Sequence, residues 1–150
     1  MRRLLLLISL YCAIGPYSSY AQDAYPLLLA GGESARWNIS LEHGKMTLTG
    51  ICLVRQTEHG LVGSVINEFG FRAFDFTYQR GKMKILNVMT KMNRWYIRRL
   101  LRTDLRILAA DSPVDIGRKR TLETHLPDSM TLCNHRHNVC YRFERIKDLD

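Results

Sequence analysis

Across residues 46–109 the spacing of apolar side chains changes once, from every second position to a helical stripe. The stretches MTLTGICLVR, LVGSVINEFG, FRAFDFTY and KMKILNVM run apolar or alternate over strand-like lengths, the spacing that strands with a buried face require. Connections as short as Glu58-His59-Gly60 and Gln79-Arg80-Gly81 demand antiparallel neighbours. In the third stretch Phe74, Phe76 and Tyr78 share one face, with Ala73, Asp75 and Thr77 on the other. In NRWYIRRLLRTDLRILAA the period becomes helical. Met92, Tyr96, Ile97, Leu100, Leu101, Leu105, Ile107 and Leu108 form a wide apolar stripe, and Arg98, Arg99, Arg102 and Arg106 cluster opposite. Asn93 is the expected N-cap, Met92 and Ile97 a hydrophobic staple, and Pro113 the stop signal. Residues 37–42 read as one further strand, with Trp37, Ile39 and Leu41 facing inward. Residues 121–126 read as another, Pro127-Asp128 as a turn, and 130–134 with 139–146 as a closing hairpin. The pattern predicts an α+β fold in which an antiparallel sheet faces a long amphipathic helix.

The first 21 residues stand apart from this pattern. Met1-Arg2-Arg3 is a basic start, residues 4–14 are apolar, and Ser19-Tyr20-Ala21 places small residues where a signal peptidase reads them. Residues 1–21 are therefore expected to be a signal peptide, and 22–150 a single exported, periplasmic domain. An alternative is a lipoprotein signal anchored through Cys12. The chain carries 22 basic and 14 acidic residues, a net charge of +8, which falls by two to +6 when Arg2 and Arg3 leave. Export removes nucleic acid as the expected partner and leaves lipid headgroups, acidic proteins and envelope polymers.

Cleavage also removes Cys12, leaving Cys52, Cys133 and Cys140. Cys52 lies mid-strand and reads as a buried inert thiol. Cys133 and Cys140 fall opposite each other in the closing hairpin, so a disulfide, two free thiols, or a metal cluster with His135 and His137 all stay open. Asp104 is the odd residue of the helix, a carboxylate inside the apolar stripe, where it needs a partner. Arg72 and a backbone amide are the candidate donors, and a polar group within a ligand cavity is the functional alternative. Glu68 and Asp75 are near enough in sequence to be weighed as a carboxylate pair. His59 and His125 are isolated in expected loops. Residues 38–40 match the N-glycosylation pattern. There is no G-x-S-x-G, H-E-x-x-H or P-loop, so the reading is non-enzymatic and without cofactor or metal.

The early strand TGICLVR, the block VINEFGFRAFDFTY and the passage into KMNRWYIRRLLRTDLRIL resemble the periplasmic lipoprotein-localisation carriers (LolA/LolB-like) over about residues 50–108. The resemblance implies an incomplete antiparallel half-barrel lidded by helix, enclosing an apolar cavity for acyl chains that are carried without covalent chemistry. Leu48, Ile51, Leu53, Val65, Phe74, Phe76, Leu100 and Leu101 are then expected to line the cavity. The arginines at 98, 99, 102 and 106 would face an anionic membrane or an envelope partner protein, and the ligand would be a lipid or an acylated protein. The competing reading is an envelope structural or interaction module with the same fold, filled by its own side chains.

Overall fold

The computed structural model describes residues 26–28, 34–110 and 114–147. The expected leader, Cys12 and Pro113 lie outside these residues. Eight strands form one antiparallel sheet: β1 (Ser34–His43), β2 (Met46–Thr57), β3 (Gly60–Asn67), β4 (Arg72–Gln79), β5 (Lys82–Leu86), β6 (Arg120–His125), β7 (Ser129–Asn134) and β8 (Val139–Arg145). Their order across the sheet is β5-β4-β3-β2-β1-β8-β7-β6. Two local meanders are thus joined by the long-range pairing of β1 with β8, with Ile39 opposite Phe143 and His43 opposite Val139.

The expected half-barrel covered by a long helix is not what forms. The sheet is open, with β5 and β6 as separate edges, and the only α-helix among the described residues, α1 (Trp95–Ala109), has 15 residues. A helix of that length spans about 22 Å, whereas eight strands spread over roughly 34 Å. One helix of this size cannot roof such a sheet. It crosses the core face instead, burying Leu101, Leu105 and Leu108.

The sheet itself follows the alternation. Ala35, Trp37, Ile39 and Leu41 of β1 point to the core beside Cys52 and Val54 of β2, Phe74, Phe76 and Tyr78 of β4, and Val139, Tyr141 and Phe143 of β8. A bulge between β3 and β4 pairs Val65 with Phe74 but Ile66 with Arg72. Ala73 is the extra residue, and it is buried alongside Phe74 rather than facing away from it. β2 corrects another expectation. Both of its faces are apolar, and the core takes the even positions, so Ile51 and Leu53 are 41% and 38% exposed on the opposite face.

Gly63 of β3 lies beneath the ring of Phe76, and a Cβ there would collide with three ring carbons. Gly63→Ala is expected to lower the unfolding free energy by about 1–3 kcal/mol through overpacking, measured by urea denaturation. A loss below about 0.3 kcal/mol would mean that the ring moves aside freely.

The start of α1 also differs from expectation. Thr90–Met92 forms a 3-10 turn, and Asn93 closes it instead of capping α1. Arg94 holds the N-cap position without a side-chain hydrogen bond. Arg98 anchors this end, its guanidinium donating to Asn93 Oδ1 at 3.1 Å and to the Ile85 carbonyl of β5 at 3.0 Å.

Candidate functional site

Strand register brings three turns and the start of α1 to one end of the sheet. The β1–β2 turn follows His43, which pairs with both Met46 and Val139. The Gly44 amide donates to the Asn138 carbonyl of the β7–β8 turn. The β3–β4 tip sits beside Thr49 of β2, whose carbonyl accepts from the Glu68 amide. Met89, leading into α1, donates to the Ala73 carbonyl at the start of β4.

Two openings adjoin here. One is an apolar slot of about 160 Å³ between the hairpin, the approach to α1 and its first turns. Leu41, Met46 and Leu48 form one wall, Met89, Met92, Ile97, Leu100 and Leu101 another, and Val139 and Tyr141 the floor. His43 and Lys91 are its charged or polar margin. The second is a recess of about 370 Å³ lined by His43, Trp95, Tyr96, Arg99, Leu100, Thr103, Arg120, Arg136 and His137. His43 and Leu100 belong to both. Trp95 and Tyr96 stand 75% and 50% exposed, edge to face at 6.1 Å between ring centres. Such rings pair an apolar body with a polar tip, suited to a boundary between oil and water.

Phe69 and Phe71, at the β3–β4 tip, are 75% and 67% exposed. The loop carrying them is held by Asn67, whose Oδ1 accepts from the Phe69 and Phe71 amides at 3.1 and 2.9 Å. Gly70 completes the turn at φ +82°, a conformation that favours glycine.

Of the eight residues expected to line a cavity, Leu48, Leu100 and Leu101 line the slot. Val65, Phe74 and Phe76 are packed into the core, and Ile51 and Leu53 lie on the outer face. The four helix arginines do not form one surface. Arg98 is bound to β5, Arg99 enters the recess, and Arg102 and Arg106 border a separate groove with Lys82 and Lys84. Arg136, His43 and Trp95 were not among the residues the pattern singled out for a site, and His137 entered only as a candidate metal ligand. Their convergence depends on β1–β8 pairing, which no local spacing reveals.

Asp104 is fully buried, and Arg72 is not its partner. Its Oδ1 accepts from Arg120 Nε at 2.8 Å and Asn134 Nδ2 at 3.0 Å, and its Oδ2 accepts from the Tyr141 hydroxyl at 2.8 Å. Arg72 pairs instead with Asp75 at 3.3 Å. Asp75 also accepts from Ser64 and from Asn87, while Glu68 accepts from Thr49, so these two carboxylates do not act as a pair. Burial pushes the Tyr141 hydroxyl well above its ordinary range, helped by the charge and hydrogen bond of Asp104 and opposed by Arg120. Cys133 and Cys140 are disulfide-bonded with Cα atoms 4.1 Å apart, and the His135 ring contacts the Thr121 hydroxyl at 3.0 Å. Thiolate ligation by that cluster is thereby removed.

Cys52 is buried and free, and desolvation pushes its thiol up to about 12. Folding therefore favours the protonated form. Its contribution is intact below the ordinary 9.0 and is lost as pH rises between 9.0 and about 12. Cys52→Ala should flatten the alkaline decline in stability by about 1.4 kcal/mol per pH unit over that window. Urea unfolding at graded pH reads this out, and equal slopes in both proteins would contradict it.

No family model matches the chain, and no curated protein matches it.

Proposed function

We propose that this chain is a non-enzymatic protein of the bacterial cell envelope that binds a segment of an acyl chain, on a lipid or an acylated protein, in the slot at the start of α1. The observation that carries the reading is the slot itself: an almost wholly apolar opening against the start of α1, beside exposed aromatic rings. A volume of about 160 Å³ is comparable to engineered apolar cavities that accept benzene. It fits a short run of methylenes rather than a whole lipid. With each buried methylene contributing about 0.8 kcal/mol, six or so supply about 5 kcal/mol, a dissociation constant of roughly 0.1–1 mM from the chain alone. That strength suits transient holding or hand-over. The disulfide accords with an oxidising compartment and with the leader-like first 21 residues. Kinship with lipoprotein-localisation carriers is part of the proposal, in a form that does not enclose its cargo.

Lipid extraction from the purified protein followed by mass determination tests the reading directly. Leu100→Trp, which fills the slot, is expected to weaken binding of a decanoyl probe at least about tenfold with little change in unfolding midpoint. Equal binding before and after would remove the slot from consideration.

The filled interior favours a second reading. Trp37, Phe74, Phe76, Tyr141 and Phe143 occupy the middle of the sheet, and Phe69 and Phe71 stand outside it. In that reading the chain is an envelope interaction module whose aromatic tip meets a partner protein. The absence of any decanoyl binding, with the tip needed for partner capture, is the pattern it expects.

A further inference from the structure

We infer that the recess beside the slot is a headgroup site for a phosphate-bearing amphiphile, whose apolar chain enters the slot while its phosphate sits between Arg99 and Arg136. The inference rests on the acyl-chain reading and adds the chemistry of the other end of the ligand. Continuity is the first ground, since the two openings share His43 and Leu100 and one molecule can occupy both.

Charge is the second ground. Nothing acidic lines the recess, yet three arginines do: Arg120, which is paired with Asp104, and two others from different elements, Arg99 from α1 and Arg136 from the β7–β8 turn. Other arginines nearby are occupied: Arg98 by Asn93 and Ile85, Arg120 by Asp104, and Arg142 by Glu42. Among the described residues Arg99 and Arg136 have no such side-chain partner. Cations gathered without a counterion repel, and an anion between them relieves that.

Geometry of the donors selects the anion. Guanidinium forks match phosphate oxygens in pairs, and the two imidazoles of His43 and His137 add nitrogen groups from further directions. Donors from several sides suit a tetrahedral phosphate better than a planar carboxylate. A recess of about 370 Å³ is also far roomier than a fatty-acid carboxylate needs, leaving space for a glycerol unit against Trp95 and Tyr96.

The chain contains two tryptophans. Trp37 is fully buried with its indole bonded to the Leu27 carbonyl, so a fluorescence change on titration reports Trp95. Three probes are added to the full chain below their micellar concentrations: decanoyl-glycerol phosphate, uncharged decanoyl-glycerol and inorganic phosphate. The phosphate amphiphile is expected to bind at least about tenfold more tightly than the uncharged one, with inorganic phosphate weaker than the amphiphile. The double variant Arg99→Gln/Arg136→Gln should erase that advantage, whereas Arg102→Gln/Arg106→Gln, equal in charge but outside the recess, should keep it. Equal binding of the two amphiphiles overturns the headgroup site and leaves the slot standing. Inorganic phosphate binding as tightly as the amphiphile overturns it too, as the slot would then play no part. Failure of both amphiphiles overturns both readings. The probe ranking comes from the unaltered chain, so the test survives a variant that fails to fold.

Discussion

Asp104→Ala is expected to lower the unfolding free energy by about 3–5 kcal/mol, measured by urea denaturation at neutral pH. The carboxylate is wholly buried and accepts hydrogen bonds from three side chains on β6, β7 and β8. Its removal leaves the buried Asn134 amide and Tyr141 hydroxyl with no acceptor and the Arg120 guanidinium with only the Ile116 carbonyl at 3.3 Å, and stranded buried donors cost more than the bonds themselves contributed. Asp104→Asn keeps the shape and one acceptor oxygen, so it should cost less. The alanine variant should also bring the Tyr141 hydroxyl part of the way back toward its ordinary range, because the charge and hydrogen bond of Asp104 that raise it vanish while burial remains. A loss under about 1 kcal/mol would show that helix and sheet do not depend on this joint.

Trp37→Ala is expected to have an effect of similar size, about 3–5 kcal/mol. Trp37 sits in β1, the strand that joins the two meanders, and has no exposed surface. Its ring meets Phe143 of β8 edge-on at 6.2 Å, and its Nε1 donates to the Leu27 carbonyl at 2.8 Å. The Leu27 amide in turn donates to the Leu108 carbonyl of α1 at 3.4 Å. One side chain thus connects sheet, helix and the turn at 26–28. Trp37→Phe keeps much of the packing but leaves the Leu27 carbonyl without its donor, for an expected loss of about 1–3 kcal/mol. Near-ultraviolet circular dichroism and urea midpoints separate the two variants, and an unchanged midpoint in Trp37→Phe would mean that the hydrogen bond adds nothing.

Local pattern carries information about this fold where partners lie close in sequence. The four strands within 46–86 and the closing hairpin were legible because their partners are close in sequence and joined by short turns. The Cys133–Cys140 pairing was among the open alternatives for the same reason. What escaped was set at long range. Asp104 finds its partners 16, 30 and 37 residues away, beyond what periodicity encodes. The inward face of β2 was illegible because residues 51–54 are apolar on both sides, so only pairing with β1 decides that Cys52 and Val54 turn inward. The helix stripe was legible, but its reach was overvalued because eight strands are wider than fifteen residues of helix are long. At the site, Leu100 and Leu101 could be read from the stripe, whereas His43 and Arg136 meet only through β1–β8 pairing.

A sheet that does not close on itself leaves two rims, each a row of backbone groups able to recruit another strand. Here both rims are guarded. β5 projects Lys82 and Lys84, both exposed, and Arg98 occupies the Ile85 carbonyl. β6 presents Thr121, Glu123, Thr124 and His125, none of them apolar and all exposed. These polar borders disfavour edge-to-edge stacking, so the protein's vulnerability to fibril growth is concentrated in the few side chains that keep its margins wet.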